Sequence, residues 1–107
     1  MPQDWSDLVE LTPDTVQKIV ESKPGVYRMS SKRNDGKYYV FYVGQATDVR
    51  ARLLQHLGDN EENECIRSER VKDCVFRFTY VDSQQERDSV ESQTIQEYNP
   101  NCNTKKP

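Results

Sequence analysis

The chain has 107 residues, the length of one small domain, so we expect a single unit at 1–107 with a core at about 12–103 and a polar tail at 104–107. The apolar fraction of 34% predicts a thin core, and no apolar run approaches the roughly 18 residues of a membrane span. The formal net charge of −3 is not typical of a polyanion-binding protein, and the polar, acidic N-terminus is not that of a signal peptide.

The first predicted element is a helix. Thr12 supplies a capping hydroxyl, and Pro13 follows at the first helical position, where a missing N–H costs nothing. Apolar residues then recur at helical spacing. Pro24 predicts the end of the helix, because the residue before a proline avoids the α region.

A β-hairpin is predicted next. Residues 25–29 indicate a strand, and residues 34–36 (Asn-Asp-Gly) indicate a turn. Residues 38–43 are apolar or aromatic throughout, which predicts a strand covered on both faces. The tip of this hairpin is long and basic, with Lys32, Arg33 and Lys37.

The second half predicts two long helices separated by a strand. Residues 46–57 form an apolar stripe at helical spacing that ends at Gly58. Residues 59–73 are acidic and predict a short helix, residues 75–81 alternate as a strand does, and residues 84–98 suit a helix. The whole order predicts an α+β fold, an α/β sandwich on a small three-stranded, mainly antiparallel sheet flanked by helices.

Positive charge is concentrated in one segment. Residues 23–57 hold seven basic and two acidic residues, a net charge of +5, while the rest of the chain is acidic. A phosphate-binding surface would need such a concentration. Ordinary fluctuation in a highly charged chain is the alternative explanation.

The cysteines do not form a recognisable framework. Cys65, Cys74 and Cys102 show no CxxC spacing, and with one histidine in the chain they argue against a structural zinc site. Their odd number argues against a set of disulfides. We therefore expect free, packed thiols and a cytoplasmic protein in a reducing compartment.

Two tripeptides and three distant residues together resemble a known family. Residues 25–27 (Gly-Val-Tyr) and 42–44 (Tyr-Val-Gly) are similar to the Gly-Ile-Tyr and Tyr-Ile-Gly motifs that name the GIY-YIG nucleases. Arg52 lies ten residues past the second tyrosine, and Asn103 lies twelve residues past Glu91, as in that family. The resemblance covers residues 22–103. It extends to the N-terminal domain of an excinuclease and to GIY-YIG homing endonucleases.

The resemblance implies catalytic roles for five residues. Glu91 would be the sole protein ligand of a divalent metal ion, Mg²⁺ with Mn²⁺ as the alternative, and hard carboxylate oxygens suit both. Arg52 would stabilise charge on the phosphate. Tyr27 would act as general base or orient the attacking water, and Tyr42 would be the second tyrosine of the site. His56, one helical turn past Arg52, would accept a proton or contact the phosphate.

Six further residues are predicted to contact the substrate. They are Gly44, Arg50, Asn103, Lys32, Arg33 and Lys37.

Every one of these residue types also has a plain structural explanation. Tyrosines are common in strands, and single arginines, glutamates and lysines are usually solvated surface charges. His56 could be a packing residue, and Asn103 could belong to a turn.

The function predicted from the sequence is a metal-dependent endonuclease that hydrolyses phosphodiester bonds in nucleic acid, with DNA favoured, in repair, recombination or defence. No appended DNA-binding module is visible in the chain, so a protein partner would supply target specificity, and no membrane is involved. The alternative is a catalytically silent nucleic-acid-binding or partner-dependent module of the same fold.

Overall fold

The computed structural model describes residues 3–103, so the predicted polar tail at 104–107 lies outside the described residues. Four strands and four helices follow one another along this part of the chain. They are β1 (Val9–Glu10), α1 (Pro13–Ile19), β2 (Gly25–Lys32), β3 (Tyr38–Ala46), α2 (Val49–Leu57), α3 (Glu64–Glu69), β4 (Cys74–Tyr80) and α4 (Gln84–Tyr98).

The sheet is antiparallel throughout, in the order β1-β4-β2-β3. The predicted α+β class is confirmed, but the sheet has four strands where three were expected. The missed strand β1 has two residues and pairs Val9 with Phe76. Two residues are too few to show the alternation by which a strand is recognised in a sequence.

Helices cover both faces of the sheet. On one face, α1, α2 and α3 contribute Val16, Leu53 and Ile66 to a core that includes the aromatic side chains of β2, β3 and β4. On the other face, Val90 and Ile95 of α4 pack on Val26 and Val43. The thin core expected from the composition is therefore divided into two layers.

Local capping chemistry explains where the longer helices begin. The side chains of Thr12, Asp48 and Ser83 accept backbone N–H groups at the starts of α1, α2 and α4. Each is a residue type preferred at this position, because its oxygen satisfies a donor that the helix cannot. The cap at Thr12, the proline at the first turn and the stop at Gly58 confirm the sequence predictions.

The prediction that β3 is covered on both faces was wrong for its first half. Tyr38 is 40% exposed and Tyr39 is 42% exposed, whereas Phe41 and Val43 are fully buried. The strand lies at the edge of the sheet, and its first residues belong to a hairpin arm that extends past the helices. Hydrophobic residues alone did not reveal where that cover ends.

The prediction of three free thiols was also wrong. Cys65 at the start of α3 and Cys102 after α4 form a disulfide with a Cα–Cα distance of 5.4 Å, which is typical of such bonds. Only the fold brings these two residues together, since 37 positions separate them in the chain. Cys74 is a free, buried thiol as expected.

No helix within residues 3–103 is long and apolar enough to cross a membrane.

Candidate active site

Tyr27 lies at the centre of the sheet and points towards α2. It pairs with Gly44 on β3 and with Phe78 on β4. A Cβ atom added at Gly44 would lie 2.5 Å from the Tyr27 hydroxyl oxygen and 2.9 Å from the Tyr42 ring. Only glycine fits here, because the tyrosine side chain crosses directly over the backbone at that point.

Tyr27, Tyr42 and His56 form a compact cluster of rings. The Tyr27 hydroxyl oxygen and His56 Nε2 are hydrogen-bonded at 2.6 Å, and the Tyr42 and His56 rings meet edge to face with centroids 5.2 Å apart. Tyr27 is fully buried and His56 is 2% exposed, whereas Tyr42 is half-buried. The fold thus brings together three predicted site residues from β2, β3 and α2.

Arg52 covers this cluster from α2. Its guanidinium group donates to Gln55 Oε1 at 2.8 Å and interacts with both tyrosine hydroxyls. Burial alone would lower the pKa of Arg52, but the two phenols and Glu61 raise it overall. Arg52 is therefore a permanent positive charge beside the two hydroxyl groups.

Both tyrosines are protonated at neutral pH. Burial is the main cause that raises the pKa of Tyr27 far above its usual range, and Tyr42 adds to it while Arg52 acts in the opposite direction. Burial also raises the pKa of Tyr42. A protonated phenol does not take a proton from water, so the geometry favours an orienting role for Tyr27 over that of a free general base.

Glu61 completes the cluster and was not identified from the sequence. Its Oε1 is hydrogen-bonded to His56 Nδ1, and its Oε2 accepts the backbone N–H of Asn63 at 2.8 Å. Burial alone would raise the pKa of Glu61, but the Asn63 and His56 hydrogen bonds lower it overall. Burial lowers the pKa of His56 despite this carboxylate. Glu61 is one of six acids within residues 58–73, and no sequence signal distinguishes it from the others.

Glu91 approaches the site from the other face of the sheet. Gln45, next to Gly44 on the edge strand, donates from Nε2 to Glu91 Oε1 at 2.9 Å and to Asp88 Oδ1 at 2.7 Å. Behind the dominant effect of burial, Glu91 also raises the pKa of Tyr27 and Tyr42, which means that its charge acts on both phenols. A half-buried carboxylate at an open sheet edge is accessible to a ligand.

The donor set at this edge suits a hard cation held by few protein ligands. Within residues 3–103, no group of three or more His, Cys, Asp or Glu side chains is arranged to hold a metal ion. A metal bound to Glu91 would therefore complete its coordination with water and substrate oxygens. Mg²⁺ commonly binds in this way, through one or two carboxylates and phosphate oxygens.

The family of UvrC-like GIY-YIG domains matches residues 23–104. The chain belongs to this family. The predicted resemblance to GIY-YIG nucleases is thereby confirmed, and so, at the level of the family, is the prediction of a hydrolase of this class. UvrABC system protein C of Alkaliphilus metalliredigens (strain QYMF) is 30% identical over 87 residues, which are 80% of this chain and 13% of that protein. The chain thus spans only a small part of this relative.

Solved structures of the GIY-YIG N-terminal endonuclease domain of Thermotoga maritima UvrC share the fold. The domain bound to magnesium has a TM-score of 0.63 and 22% identity, covering 85% of this chain and 98% of that one. A tyrosine-to-phenylalanine mutant bound to the catalytic divalent cation has a TM-score of 0.64 and 21% identity, covering 86% and 98%. At these identities the likeness confirms the fold.

Two predicted substrate residues of this UvrC-like GIY-YIG domain have structural contacts instead. The Asn103 side chain pairs with both backbone groups of Val43, accepting its N–H and donating to its carbonyl oxygen at 2.7 Å each. Arg50 donates to the carbonyl oxygen of Gln17 in α1. Gly44 is at the centre of the site. Substrate contacts by Asn103 and Arg50 stay predictions.

The basic hairpin tip lies far from the tyrosines. Lys32 follows Tyr27 by five residues on an extended strand, which places it roughly 17 Å away. Arg33 stacks over the Tyr39 ring with its guanidinium carbon 5.1 Å from the centroid. Lys32, Arg33 and Lys37 therefore cannot touch the phosphate at which Tyr27 and Arg52 would act, and their predicted substrate contact would be a remote one.

Proposed function

We propose that this chain is a metal-dependent endonuclease domain that hydrolyses phosphodiester bonds in DNA. The observation that carries the proposal is the cluster of Tyr27, Tyr42, Arg52 and His56 around Gly44, with Glu91 at the same edge of the sheet. Family membership supports the reaction class. The open edge of β3 supplies the access that a polymer substrate needs.

Glu91 is the residue that would hold the metal ion, with Mg²⁺ proposed first and Mn²⁺ as the alternative. The related Thermotoga maritima domain is bound to magnesium, which supports the choice. When bound, such an ion neutralises charge on the phosphate oxygens. Gln45 restrains Glu91 Oε1 by its hydrogen bond and leaves the other carboxylate oxygen available.

The chain's own residues have separate tasks in this proposal. Arg52 binds a non-bridging phosphate oxygen with its guanidinium group and stabilises the charge that develops there. Tyr42 packs beside it at the half-buried rim. Tyr27, held by His56, orients the attacking water. These are positional and electrostatic contributions, which dominate phosphoryl-transfer catalysis generally.

A role in DNA repair with partner proteins is part of the proposal, and it is supported by the similarity to UvrABC system protein C. The positive segment at 23–57 supports a polyanionic substrate. A cytoplasmic location is proposed on the same ground. The Cys65–Cys102 disulfide weighs against that location, because such bonds are rare where glutathione keeps thiols reduced.

The proposal is tested by Glu91→Gln, which removes one charge and keeps the shape of the side chain. Wild-type protein with Mg²⁺ or Mn²⁺ is expected to cut members of a panel of plasmid, linear, branched and single-stranded DNA and RNA. The Glu91→Gln variant should lose about 10²–10³-fold in rate, since one preorganised electrostatic contact of this kind is worth that much. Chelation with EDTA should stop the wild-type reaction.

Glu97→Gln is the matched control, because it removes the same charge from an exposed position on the same helix. It should cut as the wild type does. Equal rates for Glu91→Gln and wild type would contradict the assignment of the metal site. Salt-dependent binding without cleavage would instead support the silent nucleic-acid-binding module, and cleavage only with added partner would support the partner-dependent one.

A further inference from the structure

The strongest unassigned feature is a buried chain of hydrogen bonds that runs from Glu61 through His56 to Tyr27. Glu61 contacts Nδ1 of the imidazole ring, and the Tyr27 hydroxyl oxygen is 2.6 Å from Nε2. The His56 side chain is 2% exposed and that of Glu61 is 10% exposed, so water does not compete for either contact. Neither Glu61 nor the direction of this chain is used in the proposed function.

The direction of the chain follows from which groups can donate. Burial keeps the pKa of His56 low, so the imidazole is neutral and carries one N–H. Glu61 is ionised and accepts only, and one of its oxygens is already held by the Asn63 N–H. The imidazole hydrogen must therefore be on Nδ1. Nε2 is left with a lone pair, and the Tyr27 O–H group donates to it.

Arg52 provides an independent check on this direction. A guanidinium group has donors only, so its hydrogen bond with Tyr27 uses a lone pair of the phenol oxygen. The same oxygen thus donates its hydrogen to His56 on the buried side and accepts on the side of Arg52. Both contacts agree with the Nδ1–H form of His56.

We propose that Glu61 is a positioning residue that sets the polarity of this chain, so that Tyr27 presents only an acceptor towards the scissile phosphate. The inference rests on the proposed nuclease function. When Arg52 turns to the phosphate, the attacking water takes its place and donates one hydrogen to the Tyr27 oxygen. The lone pair of that water is then directed at phosphorus.

Reversing the chain would turn the water the wrong way. In Glu61→Gln, the amide must place its NH₂ group either at the Asn63 N–H, where two donors would meet, or at His56 Nδ1. The second arrangement moves the imidazole hydrogen to Nε2, which then donates to Tyr27. The freed Tyr27 O–H would point at the water and engage the lone pair needed for attack.

The ¹⁵N chemical shifts of the imidazole report the tautomer directly, and the spectrum needs no assignment because the chain has one histidine. Wild-type protein is expected to show a protonated Nδ1 and an unprotonated Nε2. Glu61→Gln should shift hydrogen to Nε2. Its kcat should fall about 10²–10⁴-fold with KM near the wild-type value, the cost of misplacing a proton in an oriented triad.

Glu62→Gln is the control, since it removes the same charge from the exposed neighbouring residue. It should keep both the wild-type tautomer and the wild-type rate. A wild-type spectrum with hydrogen on Nε2 overturns the inference even if Glu61→Gln does not fold. So does a Glu61→Gln variant with wild-type kcat, or one that loses activity without a change of tautomer.

Failure of the proposed function gives a different pattern. If wild-type protein cuts no nucleic acid, the proposed function fails, and the catalytic part of this inference fails with it. The ¹⁵N spectrum would still decide whether Glu61 sets the direction of the hydrogen bonds.

Discussion

At the scale of single residues, the site depends on an absent side chain as much as on those present. Gly44 leaves space for the Tyr27 hydroxyl group, and Tyr42 and His56 then close around it. The tripeptide motifs identified these positions from the sequence. The physical reason for glycine, which is the crossing of the Tyr27 ring over the β3 backbone, is visible only in the fold.

Replacing Gly44 with alanine should therefore damage both stability and activity. The new methyl group would lie 2.5 Å from the Tyr27 oxygen, and overpacking of this kind costs about 1–3 kcal/mol. Displacing Tyr27 should also break its contact with His56. Urea unfolding measures the first effect, and the DNA cleavage rate measures the second.

Gly58→Ala is the matched control for this substitution. A Cβ atom at Gly58 would lie 3.4 Å from the Leu54 carbonyl oxygen, and its φ of −91° is open to any residue. Its free energy of unfolding should stay within about 0.5 kcal/mol of the wild-type value. If Gly44→Ala is equally harmless, the close approach of Tyr27 is not a constraint.

At the scale of elements, β3 carries half of the site although it is an edge strand. Its outer side is closed by the segment after α4. Cys102 donates its backbone N–H to the Phe41 carbonyl oxygen at 2.8 Å, and Asn103 satisfies both backbone groups of Val43. This segment acts as a short substitute strand and keeps the edge from pairing with another chain.

Asn103→Ala should loosen β3 where it carries Tyr42 and Gly44. Two hydrogen bonds would be lost, which lowers the free energy of unfolding by about 1–2 kcal/mol. The Val43 amide hydrogen should then exchange with solvent faster, as hydrogen exchange by NMR would show. Asn34→Ala in the exposed hairpin turn should change neither quantity, and unaltered exchange at Val43 in Asn103→Ala would contradict the role of the clamp.

At the scale of the whole molecule, one covalent bond joins the two halves of the chain. The Cys65–Cys102 disulfide connects α3 to the segment that closes β3. It spans 37 positions, and the chain-entropy account gives such a loop about 4 kcal/mol of stabilisation. For a domain of this size, that is a large part of the total free energy of unfolding.

Reduction should therefore lower the free energy of unfolding by up to about 4 kcal/mol. Urea unfolding with and without a phosphine reductant measures the change. The Cys65→Ala/Cys102→Ala variant should unfold alike in both conditions. Equal stability of reduced and oxidised wild-type protein would show that the bond constrains nothing.

The sequence alone determined most of the local structure. Caps at Thr12 and Asp48, the stop at Gly58 and the helical stripe of α2 depend on residues within a few positions of one another, and short-range chemistry is enough to specify them. The spacing of Tyr27, Tyr42, Arg52 and Glu91 pointed to the family in the same way.

The tertiary structure alone decided which distant groups meet. It joined Cys65 to Cys102, selected Glu61 from six neighbouring acids as the partner of His56, and turned Asn103 onto Val43. It also separated the basic hairpin tip from the tyrosines. These outcomes depend on how packed elements are oriented in space, and no periodicity or spacing along a chain records that orientation.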